Sequence, residues 1–210
     1  MQNIYDQYAK EYDTWFVQND QLFSSELDQL RSLMPDFQYG LDIGCGTGLF
    51  TSLLGIQHAI EPSNNMTNIA KNRGVDVDIA RGENLIEKHI DKCDLVTMTT
   101  VDSFVQNIGQ VFKNINMYLK KDGFLLITFL NLETPLGQIY ENTKHNSPYY
   151  DKATFHTHAE ILELLENYGL KLVKSASTIY SLDNIFQKSQ DDFNGGVFCS
   201  ILARKIKTII

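Results

Sequence analysis

In LDIGCGTGLF, residues 41–50, an apolar run meets three alternating glycines, Gly44, Gly46 and Gly48, with Asp42 two places before the first. Glycine lets a backbone turn tightly and approach a ligand with no Cβ in the way. Such a turn between a strand and a helix holds a nucleotide-like cofactor. Dinucleotide sites use the spacing G-x-G-x-x-G and seat a pyrophosphate on the helix N-terminus. Here the third glycine comes one residue early, as G-C-G-T-G. The carboxylate of Asp42 would be a poor neighbour for a pyrophosphate and a good one for a ligand carrying positive charge.

S-adenosylmethionine has no phosphate and carries an ammonium and a sulfonium, so it meets that description. Glu61 ends the next strand, where a carboxylate can accept both ribose hydroxyls, as the acidic residue of the dinucleotide motif does. Both cofactors carry a ribose, so Glu61 does not separate them. A solvated strand-end carboxylate is its plainer reading. Cys45, inside the turn, reads as packing and close backbone approach rather than as a nucleophile.

Other residues could touch an acceptor. Tyr5, Tyr12, Trp15 and Phe16 recur at helical steps near the start of the chain. They read either as an aromatic lid that attracts a cation or as the core face of an amphipathic helix. His145 in a later polar stretch could serve as a base, against the commoner reading of a plain loop histidine. His156 and His158 have no third ligand at metal-binding spacing, so no metal is expected.

The elements that position these residues follow from periodicity. Residues 1–35 read as two helices, the second running through Leu27, Leu30 and Met34 to Pro35. YGLDI, QHAIE, VDVDIA, CDLVTMT and FLLITFL read as strands. Ser63 is placed to cap a helix that Gly74 closes. A helix between Ser103 and Leu119 carries Val105, Ile108, Phe112 and Ile115 on one face, and KKDG reads as a turn after it. Thr157 and Glu160 match a capping box. KLVKSAST and GVFCSILAR read as late strands with a long loop between them. Strands alternating with helices imply right-handed crossovers and a mostly parallel sheet covered on both faces. The expected organisation is one domain: a helical cap at 1–35, a cofactor-binding core at 36–130, an insertion or lid at 131–155, and a closing helix with two strands at 156–210.

The bulk numbers agree with a globular enzyme-sized domain. The 210 residues carry a formal net charge of -8, which argues against a phosphate backbone as main partner. The three cysteines, Cys45, Cys93 and Cys199, form no C-x-x-C pair. Reduced thiols, a cytoplasmic setting and no membrane partner are the expectation.

The combined pattern LDIGCGTGLF, AIEPSNNMTNIAKNRGVDV, GENL and DLVTMTTVDSF resembles class I S-adenosylmethionine-dependent methyltransferases of the small-molecule type. The likeness covers about 38–130, and YDQYAKEYDTWF is similar to that group's N-terminal cap. It implies a Rossmann-like, doubly wound seven-stranded sheet of order 3-2-1-4-5-7-6 with the last strand antiparallel. It also implies that Gly44, Cys45 and Gly46 lie along the methionine part of the cofactor with Asp42 beneath. Glu61 would bind the ribose, Pro62 and Met66 would pack near the adenine, and Gly82 would offer its amide to the ring. Thr99 and Thr100 would stand near the transferable methyl, with Asn131 and Tyr140 of the insertion on the acceptor side. Arg81 stands where the family often has an adenine-binding Asp, and Arg cannot accept a hydrogen bond, which leaves Glu83 or backbone for that role. The implied activity is methyl transfer to N, O or S of a small molecule, releasing S-adenosylhomocysteine, by a monomer or homodimer. A cofactor-holding regulatory protein without turnover is the alternative; a nicotinamide oxidoreductase is disfavoured by the glycine spacing and Asp42.

Overall fold

The computed structural model describes residues 4–209. The chain opens with three short helices, α1 (Ile4–Gln7), α2 (Ala9–Gln18) and α3 (Asp20–Leu33). The expectation of two helices is corrected here: the backbone breaks at Tyr8 and again at Asn19, so the aromatic stripe runs over two separate helices.

Strands and helices then alternate: β1 (Gly40–Ile43), α4 (Leu49–Leu53), β2 (His58–Ile60), α5 (Asn64–Asn72), β3 (Asp76–Asp78), β4 (Cys93–Thr99), α6 (Ile108–Tyr118) and β5 (Leu119–Leu130). Beyond β5 come α7 (Pro135–Thr143), α8 (His158–Asn167), β6 (Leu170–Thr178), β7 (Gln190–Asp191) and β8 (Phe198–Lys205). They build one sheet of order β3-β2-β1-β4-β5-β8-β6-β7. The first five strands are parallel neighbours, and β8 inserts antiparallel between β5 and β6.

The expected α/β topology is therefore present, with eight strands rather than seven. The addition is β7, two exposed residues that pair with Ala176 and Ser177 by backbone alone. Such a strand carries no alternation of apolar and polar residues, so it reads as loop. KKDG is also corrected. It lies inside β5 as an irregularity: the pairing jumps from Cys93–Leu119 to Leu95–Phe124, and Asp122 takes φ +66. The insertion contains α7, capped by Thr134, whose hydroxyl accepts the Gly137 amide, with Pro135 in its first turn.

Central strands β1 and β4, and β5 from Leu125 onward, are buried almost throughout, as a sheet covered on both faces requires. Phe112 and Ile115 of α6 and Ile161 and Leu165 of α8 join one core cluster. Leu22, Leu30 and Leu33 of α3 join another, with Leu126 and Phe198. Ser63 accepts the Met66 amide at 3.2 Å, and Thr157 with Glu160 forms the capping box. Both fix helices that start at the carboxyl edge of the sheet, where open α/β folds bind ligands. Among the described residues no helix is long and apolar enough to cross a membrane.

Candidate functional site

The three glycines of the turn do different work. All have positive φ, +74 at Gly44, +55 at Gly46 and +74 at Gly48, a region L-residues with side chains enter at a cost. A Cβ on Gly44 would stand 2.6 Å from the Val101 side chain, and one on Gly48 would stand 2.8 Å from Ala70 Cβ. These two glycines let neighbouring segments close on the turn. Around Gly46 the nearest atoms to such a Cβ are Met66 Sδ at 3.6 Å and Tyr12 at 3.9 Å, ordinary contact distances, and Gly46 itself lines a cavity. The Gly44 amide donates to Ile60 O at 2.7 Å and pins the turn between β1 and β2.

Two acidic side chains flank the turn. Asp42 is buried on β1, and its carboxylate accepts the hydroxyls of Thr51 at 2.6 Å and Thr97 at 2.7 Å. Burial raises its pKa against those two hydrogen bonds. Glu61 follows β2 and accepts the Gly46 amide at 3.0 Å on one oxygen and the Ser63 amide at 2.8 Å on the other. Burial pushes its carboxyl up to about 7. Both carboxylates gain from any cation or hydroxyl donor that reaches them.

A small cavity of about 30 Å³ opens over the turn, lined by Tyr12, Asp42, Gly44, Cys45, Gly46, Phe50, Thr99 and Thr100. Thr99 and Thr100 come from the end of β4. Thr100 takes φ +55, rare for a β-branched residue, while its amide donates to Thr128 O at 2.7 Å. Strain of this kind gathers at ligand sites. Tyr12 roofs the cavity from α2, and burial raises its pKa. The cap is tied down at two points. Asp13 accepts Thr47 Oγ1 at 2.7 Å and Arg73 Nη2 at 2.8 Å. Asp6 accepts Ser63 Oγ at 2.8 Å and the Asn65 amide at 2.9 Å.

This donor set fits S-adenosylmethionine: Gly46 on the cavity wall for close approach, Asp42 in the same cavity, and Glu61 directly behind Gly46. Residues 16–175 match a protein family described as Methyltransferase domain. The chain belongs to that family. It is the class I, S-adenosylmethionine-dependent kind that the turn resembles, and its sheet has the expected order with the short β7 added at one edge. The methyltransferase is 34% identical over 206 residues to an uncharacterized protein of Methanocaldococcus jannaschii, covering 97% of this chain and all of that one. A crystal structure from Thermotoga maritima, described as a SAM-dependent methyltransferase and "possible histamine N-methyltransferase", superposes with a TM-score of 0.91. It shares 29% identity, over 96% of this chain and 98% of that one. A ubiquinone biosynthesis O-methyltransferase of Rickettsia canadensis is 26% identical over 75% of this chain and 73% of its own length.

Of the residues singled out in the methyltransferase sequence, Asp42, Gly44, Cys45, Gly46, Thr99, Thr100 and Tyr12 meet in the cavity. Met66 is buried against Gly46, and Pro62 is exposed at the start of α5. Gly82 packs on Ile43 and Val111 and gives its carbonyl to Asn114. One Glu83 oxygen accepts the Gln106 amide at 2.7 Å, which ties it to the segment before α6. Tyr5 packs on Tyr12, Phe104 and Tyr149. Phe16 is buried and Trp15 lies outside it, 41% exposed. Asn131 is buried beside Val197, and Tyr140 packs on Tyr150 and Phe155. His145 is exposed and pairs with Asp151, away from the cavity lining. Its reading as a base has no support in this placement.

The structure adds Phe50 and Asp102, which carry no signal in the sequence pattern, and gives His156 a partner. Phe50 lines the cavity from α4 and meets Phe16 and Phe23 edge-on. His156 pairs with the fully buried Asp102 at 2.9 Å, just past the end of β4, and that hydrogen bond raises the histidine pKa. His158 pairs instead with Glu133 and stacks on Phe193. Asp102 stands just after β4, and its partner lies 54 positions away.

Proposed function

We propose that this chain transfers a methyl group from S-adenosylmethionine to N, O or S of a small-molecule acceptor, releasing S-adenosylhomocysteine. One observation carries the reading: Gly46 shares a cavity with Asp42, Thr99 and Thr100 beneath Tyr12. Bound there, S-adenosylmethionine supplies an electrophilic methyl whose leaving group is already good. The protein then has to align the acceptor and exclude water. Gly44, Cys45 and Gly46 bring backbone against the methionine portion, and Asp42 attracts its ammonium. Glu61 accepts the ribose hydroxyls, with Pro62, Met66, Gly82 and Glu83 toward the adenine. Thr99 and Thr100 hold the edge facing the methyl, and Tyr12 with its neighbours closes the roof. A general base is needed only for an acceptor that must lose a proton.

Among the relatives, one is described as a possible histamine N-methyltransferase and another as an O-methyltransferase, chemistries that share this cofactor side. A small-molecule acceptor is favoured by the enclosed site and by the acidic balance of the chain, which repels nucleic acid. A monomer or homodimer in the cytoplasm is part of the same reading.

Calorimetric titration with S-adenosylmethionine, S-adenosylhomocysteine and NAD in parallel tests it. Micromolar binding of the two sulfur ligands without NAD is expected, followed by S-adenosylhomocysteine release in an acceptor screen. Binding of NAD alone would overturn the cofactor assignment. Tight binding with no turnover across the screen would favour a regulatory protein.

A further inference from the structure

The cavity over the glycine turn is about 30 Å³, room for about two water molecules. Sites that enclose a ligand the size of S-adenosylmethionine run to about 300–1,000 Å³. Something in the lining has to move before such a ligand can enter. Most of the lining cannot. Asp42, the glycine turn, Thr99 and Thr100 belong to β1 and β4 or follow them directly, and these two strands pair with each other in the middle of the sheet. Tyr12 is the exception, because it reaches the cavity from α2.

The cap divides into a fixed part and a part held by few contacts. Helix α3 is anchored on the sheet: its buried Gln29 donates Nε2 to Ser200 Oγ at 2.8 Å and to Phe198 O at 3.2 Å. Helix α2 ends where α3 begins, at Asn19, whose φ −119 and ψ 45 leave helical geometry. Phe16 lies three residues from Asn19 and Tyr12 seven. A swing about Asn19 therefore moves Tyr12 about twice as far as Phe16, and Phe16 stays near Phe23 of α3, which it meets edge-on at 5.3 Å.

Two carboxylates hold the swinging part down. Asp13 of α2 accepts Thr47 Oγ1 at 2.7 Å and Arg73 Nη2 at 2.8 Å. Asp6 of α1 accepts Ser63 Oγ at 2.8 Å and the Asn65 amide at 2.9 Å. Neither latch is deeply buried, and partly exposed polar contacts of this kind are weak enough to release. Tyr5 adds an apolar rest for α1, edge-on to Phe104 at 5.2 Å. Both latches also close on the cofactor side. Thr47 lies between Gly46 and Gly48, and the Ser63 amide donates to Glu61.

We propose that α1 and α2 form a gate, hinged at Asn19 and latched by Asp6 and Asp13, which swings off the glycine turn to admit S-adenosylmethionine and to release S-adenosylhomocysteine. The inference rests on the methyltransferase reading and goes further, because it names the moving element, its hinge and its latches. Closing the gate puts Tyr12 back over the site and keeps water from it during transfer.

The test measures association and dissociation rates of tritiated S-adenosylhomocysteine on the full chain by rapid filtration. Asp6 is the latch to alter, because Asp13 also holds the glycine turn itself. A gate latch acts on the closed state with and without ligand, so Asp6→Ala should speed association and dissociation together. Each rate should rise roughly threefold or more, with Kd staying within about twofold of wild type. That near-constant Kd also shows that the variant is folded. A side chain that merely supports the fold or the bound ligand would change dissociation alone. Rates that both stay at the wild-type value, or a change confined to dissociation, overturn the inference and leave the methyltransferase reading standing. Failure of the wild-type chain to bind S-adenosylhomocysteine overturns that reading, and this inference with it.

Discussion

The Thr47 hydroxyl donates to the Asp13 carboxylate at 2.7 Å, joining the glycine turn to helix α2 across 34 positions of sequence. Arg73, from the end of α5, completes the contact: it donates to the other Asp13 oxygen and to the Thr47 carbonyl. The cap therefore closes on the turn itself through Asp13, one of the two carboxylates that tie it down.

Asp13→Ala should loosen the cap without unfolding the sheet. Asp13 and Arg73 are each about one-quarter exposed, so the loss is set at about 1 kcal/mol rather than at the value of a buried pair. S-adenosylhomocysteine affinity should fall about fivefold. Tryptic cleavage at Lys10 should accelerate, and calorimetry with timed proteolysis checks both.

Gly46 and Gly48 should separate binding from folding. Gly48→Ala places a Cβ 2.8 Å from Ala70 Cβ and 3.0 Å from its Cα at φ +74, and should cost about 2–4 kcal/mol of stability. Gly46→Ala meets nothing closer than 3.6 Å and should cost about 1 kcal/mol of strain. Its methyl group enters the cavity, so cofactor affinity should fall more than roughly tenfold. Thermal unfolding and calorimetry on both variants read the contrast.

Cofactor affinity should rise with pH through the Glu61 titration. Its carboxyl stands near 7 in the free protein because of burial, and a ribose diol donates only usefully to the ionised form. Between about pH 6 and 8 the ionised fraction changes about tenfold, and affinity should follow. Glu61→Gln should bind more weakly and lose this dependence. A wild-type affinity that is flat over this range would remove Glu61 from the ribose site.

The His156–Asp102 pair should stabilise the fold at the acid end of the neutral range. The hydrogen bond to Asp102 raises the histidine pKa, so the folded state holds its proton more tightly than the unfolded one. That contribution is complete below the unfolded value of about 6.5 and is lost as pH rises through the raised folded value. The stability difference between wild type and His156→Gln should therefore be larger near pH 6 than near pH 9. Urea unfolding at the two pH values measures it.

What the sequence by itself determined lies in short stretches. The alternation of apolar runs with helical periods set the order of strands and helices, because both patterns are local backbone preferences expressed over a few residues. The glycine spacing with Asp42, and Glu61 at the next strand end, marked the cofactor side, since each sits where its own strand stops. Ser63 and the Thr157–Glu160 box were legible because a cap is a contact between near neighbours. Tertiary structure decided the rest. The pairing of Asp13 with Thr47 and of Asp102 with His156 joins segments that meet only when the sheet is covered. The division of the cap at Tyr8 and Asn19 and the short β7 also depend on packing and backbone pairing, which leave no period in the residues. The cofactor side was readable because it is built from strand ends. The packing of the cap on the insertion was not, because Tyr5 meets Tyr149 across 144 positions of sequence.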